Sequence, residues 1–568
     1  MHNQLKFTCI FLFLFSFGKN ALTQDCGVPL AFKTLEGNNI SADILIDGTL
    51  FWDRNNAGFR ITTQPNPLTA TIFVEGLWMG GFDNNGNLRL AAGGYTTGFS
   101  NDFAAGPILD DNGQMSFDCE NFDQLWEVFD YEIQQHIADF EDNGIINNAL
   151  PNIFGYPGHQ NISFENFNGF SLPNLPHGLA PFFDKNNDGI YNPSVGEYPL
   201  PESVHPDAIP SHLIWGIFND AGVNHTQSGG MALNVEIHQT IWSFNCAENE
   251  LLNNSVFTSH KIINKDSSPL DSMFVGNWSN MNIGCYNDDF LGCIPEMNTY
   301  YWYNEDSIDG LDGSLCPNDL PTFGENPPVQ AVTILNQEME NFIYFGTSPT
   351  GGGSPLDDPQ IPFDYYTFLT GWFPSNGGIP LTFGGLGVNG SISTKFAFPD
   401  HPNNLSGWSM AQYNPNHSNQ NSLANIKIGS LSPNESITIT KGYTFYQDEN
   451  LDNLSTVDLV YDNTPALQQL FDTNFESACN FLVDNENIIK ETFIQVFPNP
   501  TSNILNIKME NPSLANFSIF DIYGKKVLEN TEVNQSDIQF STSTFSSGIY
   551  FLRIEMDGKE LVKKFIKM

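Results

Sequence analysis

Along most of the chain, apolar and polar residues alternate in short runs separated by Gly, Pro and Asn, which is the period of half-buried β-strands. It predicts strands over residues 233–244, 255–264, 272–278, 300–303, 329–335, 342–345, 426–428 and 436–446. Repeated strands with turn-rich loops between them pack as an antiparallel sandwich, so the chain reads as mainly β with a few helices. Two stretches follow a helical period instead. Over 120–140, Phe122, Leu125, Trp126, Phe129, Ile133 and Ile137 recur at helical spacing and predict one or two helices packed on a sheet. Over 456–475, Val457, Leu459, Val460, Leu467, Leu470 and Phe471 do the same, with Pro465 expected to break or restart the helix.

The two ends differ from the middle. A positive stretch around Lys6, an apolar run over 7–17 and Ala21-Leu22-Thr23 read as a secretory signal peptide spanning 1–23, with the mature chain starting near Gln24. Asp25 argues against a lipoprotein start at Cys26. No apolar run approaches the ~20 residues of a spanning helix, so no transmembrane segment is expected. At the other end, alternation over 493–509 is interrupted by Pro498-Asn499-Pro500. A turn follows over Asp521-Ile522-Tyr523-Gly524-Lys525, and Gly548-Ile549-Tyr550 leads to a basic last strand across Asp557-Gly558, a hairpin pair. Residues 492–568 read as a small immunoglobulin-like antiparallel β-sandwich. Their ordered motifs resemble the type A C-terminal sorting domain of proteins exported by the type IX (Por) secretion system of Bacteroidota. The resemblance implies recognition of 492–568 by the type IX translocon. It also implies removal on delivery, with the cargo released or anchored to surface lipopolysaccharide.

Charge separates label from cargo. The chain carries 21 basic and 65 acidic residues, a formal charge of -44; residues 492–568 hold eight of each, leaving 13 and 57 upstream. Such a surface opposes nucleic-acid phosphates and anionic lipid, so no nucleic-acid partner is expected. The cargo divides by pattern into an N-terminal β-rich region over 24–230 and a sandwich region over 231–480, with a linker over 481–491. Phe51-Trp52-Asp53, Leu77-Trp78-Met79-Gly80-Gly81, Gly106-Pro107, Ala180-Pro181-Phe182-Phe183-Asp184 and Gly196-Glu197-Tyr198-Pro199 resemble a group of uncharacterised exported Bacteroidota proteins. That likeness implies no activity.

Beyond Cys9 the chain has seven cysteines, at 26, 119, 246, 285, 293, 316 and 479. An oxidising export route favours disulfides, and the odd count leaves at least one thiol over. Cys285 and Cys293, flanking one loop, are the best local pair. With Cys316 they lack the spacing of a zinc knuckle.

The best chemical motif is Asp184-Lys185-Asn186-Asn187-Asp188-Gly189-Ile190-Tyr191-Asn192. Calcium takes six to eight oxygens, and Asp184, Asn186 and Asp188 at alternate positions supply three, with the Ile190 carbonyl and Asn192 following. The run resembles the calcium loops of EF-hand, dockerin and thrombospondin type 3 modules. Val195 stands where an EF-hand has its closing Glu, and Glu197 two residues later can supply that carboxylate. The cation is expected to rigidify the loop. Asp83-Asn84-Asn85-Gly86-Asn87 and Asn287-Asp288-Asp289 follow the same ligand logic less well, the first being explained by a hairpin turn.

Enzyme signatures fail their context. Gly385, Gly387 and Gly390 form a GxGxxG that opens no helix; HExxH and GxSxG are absent; His205, His212, His225, His238 and His260 cluster without fixed spacing. The reading is therefore a calcium-stabilised surface or secreted protein that works by binding or adhesion, with a secreted polysaccharide hydrolase as the alternative. A cleft with two facing carboxylates beside aromatics would favour the hydrolase.

Overall fold

The computed structural model describes residues 26–66, 68–94, 101–110, 114–246, 248–310, 321–346, 354–375, 378–413, 420–476, 478–480, 494–498, 501–509, 515–521, 525–533, 537–556 and 559–568. The expected signal peptide at 1–23 and the expected linker at 481–491 lie outside them. The chain divides into two compact units at residues 480/481. Among the described residues no helix is long and apolar enough to cross a membrane.

In the larger unit the alternating runs pair into two nine-stranded antiparallel sheets. The first runs Phe32–Leu35, Ile40–Leu45, Thr49–Leu50, Ala70–Phe82, Leu270–Met281, Asn421–Leu431, Asn341–Phe345, with Phe59–Ile61 and Leu88–Ala92 attached. The second runs Trp126–Phe129, His212–Asn219, Val235–Ser243, Ser255–Asn264, Ser436–Tyr446, Val329–Ile334, Thr299–Asn304, Asp289–Ile294, with Ala104–Ala105 attached. Their inner faces meet. Gln239 Nε2 donates to the Leu45 carbonyl (2.8 Å), Thr71 Oγ1 to Gln330 (2.5 Å) and Trp302 Nε1 to Ser422 (3.3 Å), while the Phe51 and Tyr443 rings cross edge-on at 4.9 Å. The layer between the sheets is therefore mixed, with polar side chains paired to one another inside an aromatic core.

Both sheets draw strands from either side of residue 230. Ala70–Phe82 pairs with Leu270–Met281, and His212–Asn219 pairs with Val235–Ser243. The regions 24–230 and 231–480 are thus woven into one unit, because a central strand has the backbone groups of both edges paired only when its distant neighbours are present.

Two helical readings change. The 120–140 run splits into Cys119–Phe122, the strand Trp126–Phe129 and the helix Asp130–Asn143. Trp126 and Val128 pair with Trp215 and Leu213 at the edge of the second sheet, and edge pairing outweighs helical spacing over these four residues. The helix then starts where Glu132 accepts from the Phe129 amide (3.1 Å) and stops at Gly144, whose φ is 77°. Pro465 does not break its helix. Asp458–Asp472 runs through it, held by buried Val460, Leu467 and Leu470, so packing outweighs one missing backbone bond.

The disulfides staple this unit. Cys26 is bridged to Cys119 and Cys246 to Cys479. The pairing of Cys285 with Cys293 is overturned: Cys285 is bridged elsewhere, and Cys293 is a buried free thiol whose Sγ contacts the Ala397 carbonyl (3.2 Å). Cys293 belongs to a strand that pairs with Thr299–Asn304, which carries its side chain away from the loop. With Cys26 bridged, its sulfur is also unavailable for lipid.

The smaller unit has a three-stranded sheet, Ile494–Phe497, Ile504–Met509 and Asp537–Ser541, and a four-stranded one, Lys526–Val533, Ala515–Asp521, Gly548–Met556 and Lys559–Lys567. Alternate residues Leu505 and Ile507, Phe517 and Ile519, and Tyr550, Leu552 and Ile554 fill one apolar core with Ile538, Phe540 and Phe565. The Asp521 turn is seen in its ends, where the Lys525 amide donates to Asp521 Oδ1 (3.0 Å). Met556 pairs with Lys559, as a two-residue hairpin requires; Asp557, Gly558, Asn499 and Pro500 lie outside the described residues.

Candidate functional site

The 184–197 loop closes a short ribbon in which Phe183 pairs with Tyr198. Asp184 follows one strand and Glu197 precedes the other, so their carboxylates meet at its end. Asp184, Asp188 and Glu197 each place an oxygen within 4.8 Å of the others. The turn is shaped by its own side chains: Asp184 accepts from the amides of Asp188 (3.2 Å) and Gly189 (2.8 Å), Asn186 from that of Asp188 (2.9 Å) and Asp188 from that of Ile190 (2.8 Å). Asn192 Oδ1 accepts from the Ser194 amide (3.1 Å), so this side chain caps the following turn.

Glu197 is what a self-capped turn leaves unexplained. It is fully buried; Oε2 accepts from the Asn192 amide (2.8 Å), and Oε1 has no hydrogen-bond partner. Burial, followed by the charges of Asp184 and Asp188, pushes its carboxyl pKa up. Three converging carboxylates repel each other, and a divalent cation removes that repulsion. Behind the loop, Tyr191 donates to the Ile153 carbonyl (2.8 Å) and Gly196, at φ 86°, lies against the Phe140 ring where a Cβ would clash.

The two weaker loops also make protein contacts. Asp83 accepts from Asn85 and Asn87 amides (both 2.9 Å) and pairs with Arg89 (2.8 Å), closing the hairpin between Ala70–Phe82 and Leu88–Ala92. Asp288 and Asp289 are buried and accept from the amides of Gly310 (3.1 Å) and Ile283 (2.9 Å).

The five histidines do not converge. His205 lies beside Asp207 (3.6 Å), His212 beside Glu127 (3.4 Å) and His238 against Glu236 (2.9 Å), while His260 bonds Gln239 (3.0 Å) on the opposite face of the same sheet. Both ring nitrogens of His225 face carbonyl oxygens, of Leu90 (2.7 Å) and Asp220 (2.6 Å), which can only accept. Its imidazolium sits 3.9 Å from both Asp102 and Asp220. Burial alone would lower its pKa, but Asp220 and Asp102 raise it, so the charge serves as a structural clamp.

A cleft of about 380 Å³ opens on the outer face of the first sheet. Trp78 stands opposite Gly276, and Trp278 opposite Gly76, so each indole lies over a residue with no side chain and the two rings run parallel, 6.3 Å apart. Phe345 and Tyr365 complete the aromatic wall; Gln227, Gln360, Asn421 and the carboxylate of Asp358 line the rest. Asn421 Nδ2 donates to Asp358 Oδ1 (3.2 Å) and is itself oriented by Asn280 (2.9 Å). A larger cleft, about 780 Å³, has Glu296 and Glu338 among amides and prolines, with no aromatic among its described lining residues. Among the described residues neither cleft joins two carboxylates to an aromatic wall. Sequence reading missed the aromatic cleft because its members come from residues 78 to 421; Trp-Gly alternation in both central strands is the one local signal.

Residues 495–568 match the family described as the secretion system C-terminal sorting domain. The chain carries that domain. It makes the protein an exported type IX cargo and implies a Bacteroidota source. No curated protein matches the chain. Among solved structures, the chain is similar to a DUF3244 family protein with an immunoglobulin-like β-sandwich fold from Bacteroides vulgatus ATCC 8482, at 22% identity over 15% of this chain and 88% of that one, with a TM-score of 0.13. It is also similar to a polysaccharide lyase, at 8% identity over 66% of this chain and 37% of the lyase, with a TM-score of 0.20.

Proposed function

We propose that the exported cargo acts by binding, taking a neutral saccharide in the aromatic cleft, with calcium bracing the 184–197 loop. The observation that carries the reading is the pairing of parallel indoles with amides and one carboxylate. The aromatic cluster, almost wholly buried (Trp78 3% and Trp278 5% exposed), gives the cleft an apolar floor, and Asp358 and Gln360, both exposed, take the hydroxyls of a sugar ring. Hydrolysis takes two carboxylates, and among the described residues that cleft holds one. The cargo's negative charge disfavours uronic or sulfated chains. On this reading the cargo is released or joined to surface lipopolysaccharide after the sorting domain is removed.

A glycan array followed by calorimetry on the mature chain tests the binding. A neutral saccharide should bind, and Asp358→Ala, at an exposed position, should cost about 1.5–3 kcal/mol, the range for a hydrogen bond to a charged group. Release of new reducing ends would instead establish the hydrolase. For calcium, the melting temperature should be higher with the ion than with EDTA, by about 2.7 kcal/mol of stability at a hundredfold excess over Kd. Glu197→Gln should erase that difference; equal melting of the wild type with and without calcium would sink the assignment.

A further inference from the structure

Between the sheets lies a second cluster, which neither the binding reading nor the cation loop uses. The strand Ser436–Tyr446 alternates inward Ile439, Lys441 and Tyr443, so a lysine stands in an apolar row of the second sheet. Its Nζ is in contact with Asn277 Oδ1, on the central strand Leu270–Met281 of the first sheet. Glu75, on the neighbouring strand, accepts from Asn277 Nδ2 (2.6 Å) and lies 4.0 Å from Lys441 Nζ. Ser279 Oγ (2.7 Å), Tyr443 OH (2.8 Å) and Tyr300 OH (3.2 Å) fix that carboxyl. All three reacting side chains are more than nine-tenths buried, and the Tyr443, Phe51 and Tyr300 rings keep water away.

We propose that Lys441 and Asn277 become joined by an isopeptide bond, with Glu75 as the proton carrier. The amine lone pair of Lys441 attacks Asn277 Cγ; Glu75 takes a proton from Nζ and passes one to Nδ2; the Cγ–Nδ2 bond breaks and ammonia leaves. One C–N bond replaces another, no electrons are exchanged with an oxidant or reductant, and Glu75 ends as it began. The site has what the step needs. Burial, opposed by Glu75, brings the Lys441 pKa down to about 8, giving access to the neutral amine, and burial raises that of Glu75, which favours its taking up a proton in transit. The contact supplies the proximity that makes a slow amide exchange unimolecular. The product ties the central strands of both sheets, closing a loop between residues 164 apart that no reductant opens.

Peptide mapping of the purified full chain, reduced and alkylated, tests this. The expected result is one branched peptide containing Lys441 and Asn277, lighter than the two linear peptides together by one ammonia, about 17 Da. Intact mass alone is not decisive, since an N-terminal Gln24 loses the same mass by cyclising. Recovery of both residues only in unmodified linear peptides would overturn the proposal. In Glu75→Gln, checked for folding by near-UV circular dichroism, the branched peptide should fall at least tenfold. An unchanged yield would remove Glu75 from the mechanism.

Discussion

Deletion of residues 492–568 is expected to abolish delivery of the cargo to the surface or medium almost completely. The deleted segment has its own apolar core and matches the sorting domain over 495–568, and its eight basic residues balance eight acidic ones. Nothing in the two sheets of the cargo is built from it, since every strand of both lies before residue 447. The truncated chain should therefore fold and accumulate inside the cell. Fractionation with external protease on whole cells reads the outcome. Normal surface or secreted levels would refute the role of the domain in delivery.

Replacing both Cys246 and Cys479 by Ser should lower cargo stability by about 2–5 kcal/mol, the usual loss for a native disulfide. This bridge closes 233 residues, so it restrains the unfolded chain strongly. It also holds the end of the cargo in place. Phe475, four residues before Cys479, packs against Phe244 (5.1 Å) and Phe257 (4.8 Å), and Asn249 Nδ2 donates to the Ala478 carbonyl (3.1 Å). Losing the bridge should loosen helix Asp458–Asp472 first. Thermal melting with and without reductant measures the effect; Cys293→Ser is the control, because that thiol makes no bridge. A double variant melting like the wild type would show that packing alone holds this end.

Local period and local chemistry were legible wherever neighbours in sequence decide the outcome. Ser255–Asn264 and Ser436–Tyr446 appear with the bounds that their alternation predicts. The tight spacing of Asp184, Asn186 and Asp188 does build a turn, and Glu197 does join it, because the ribbon brings the residues before and after the loop together. Where distant partners decide, local reading failed. Trp126–Phe129 has helical spacing but finds an edge strand to pair with, and Cys293 sits near Cys285 in sequence but points into the core. Pro465 is tolerated because the helix around it is buried against a sheet.

The export label, the β-rich class and the acidic turn can be read along the chain, since each is built from motifs whose residues lie within about one turn or strand of each other. The rest follows from long-range pairing. Strands from both halves of the cargo interleave, which places Trp78 beside Trp278 and brings Glu75, Asn277 and Lys441 into one dry layer. Contacts between residues 164 to 202 apart depend on register and sheet order, which no short window of sequence contains.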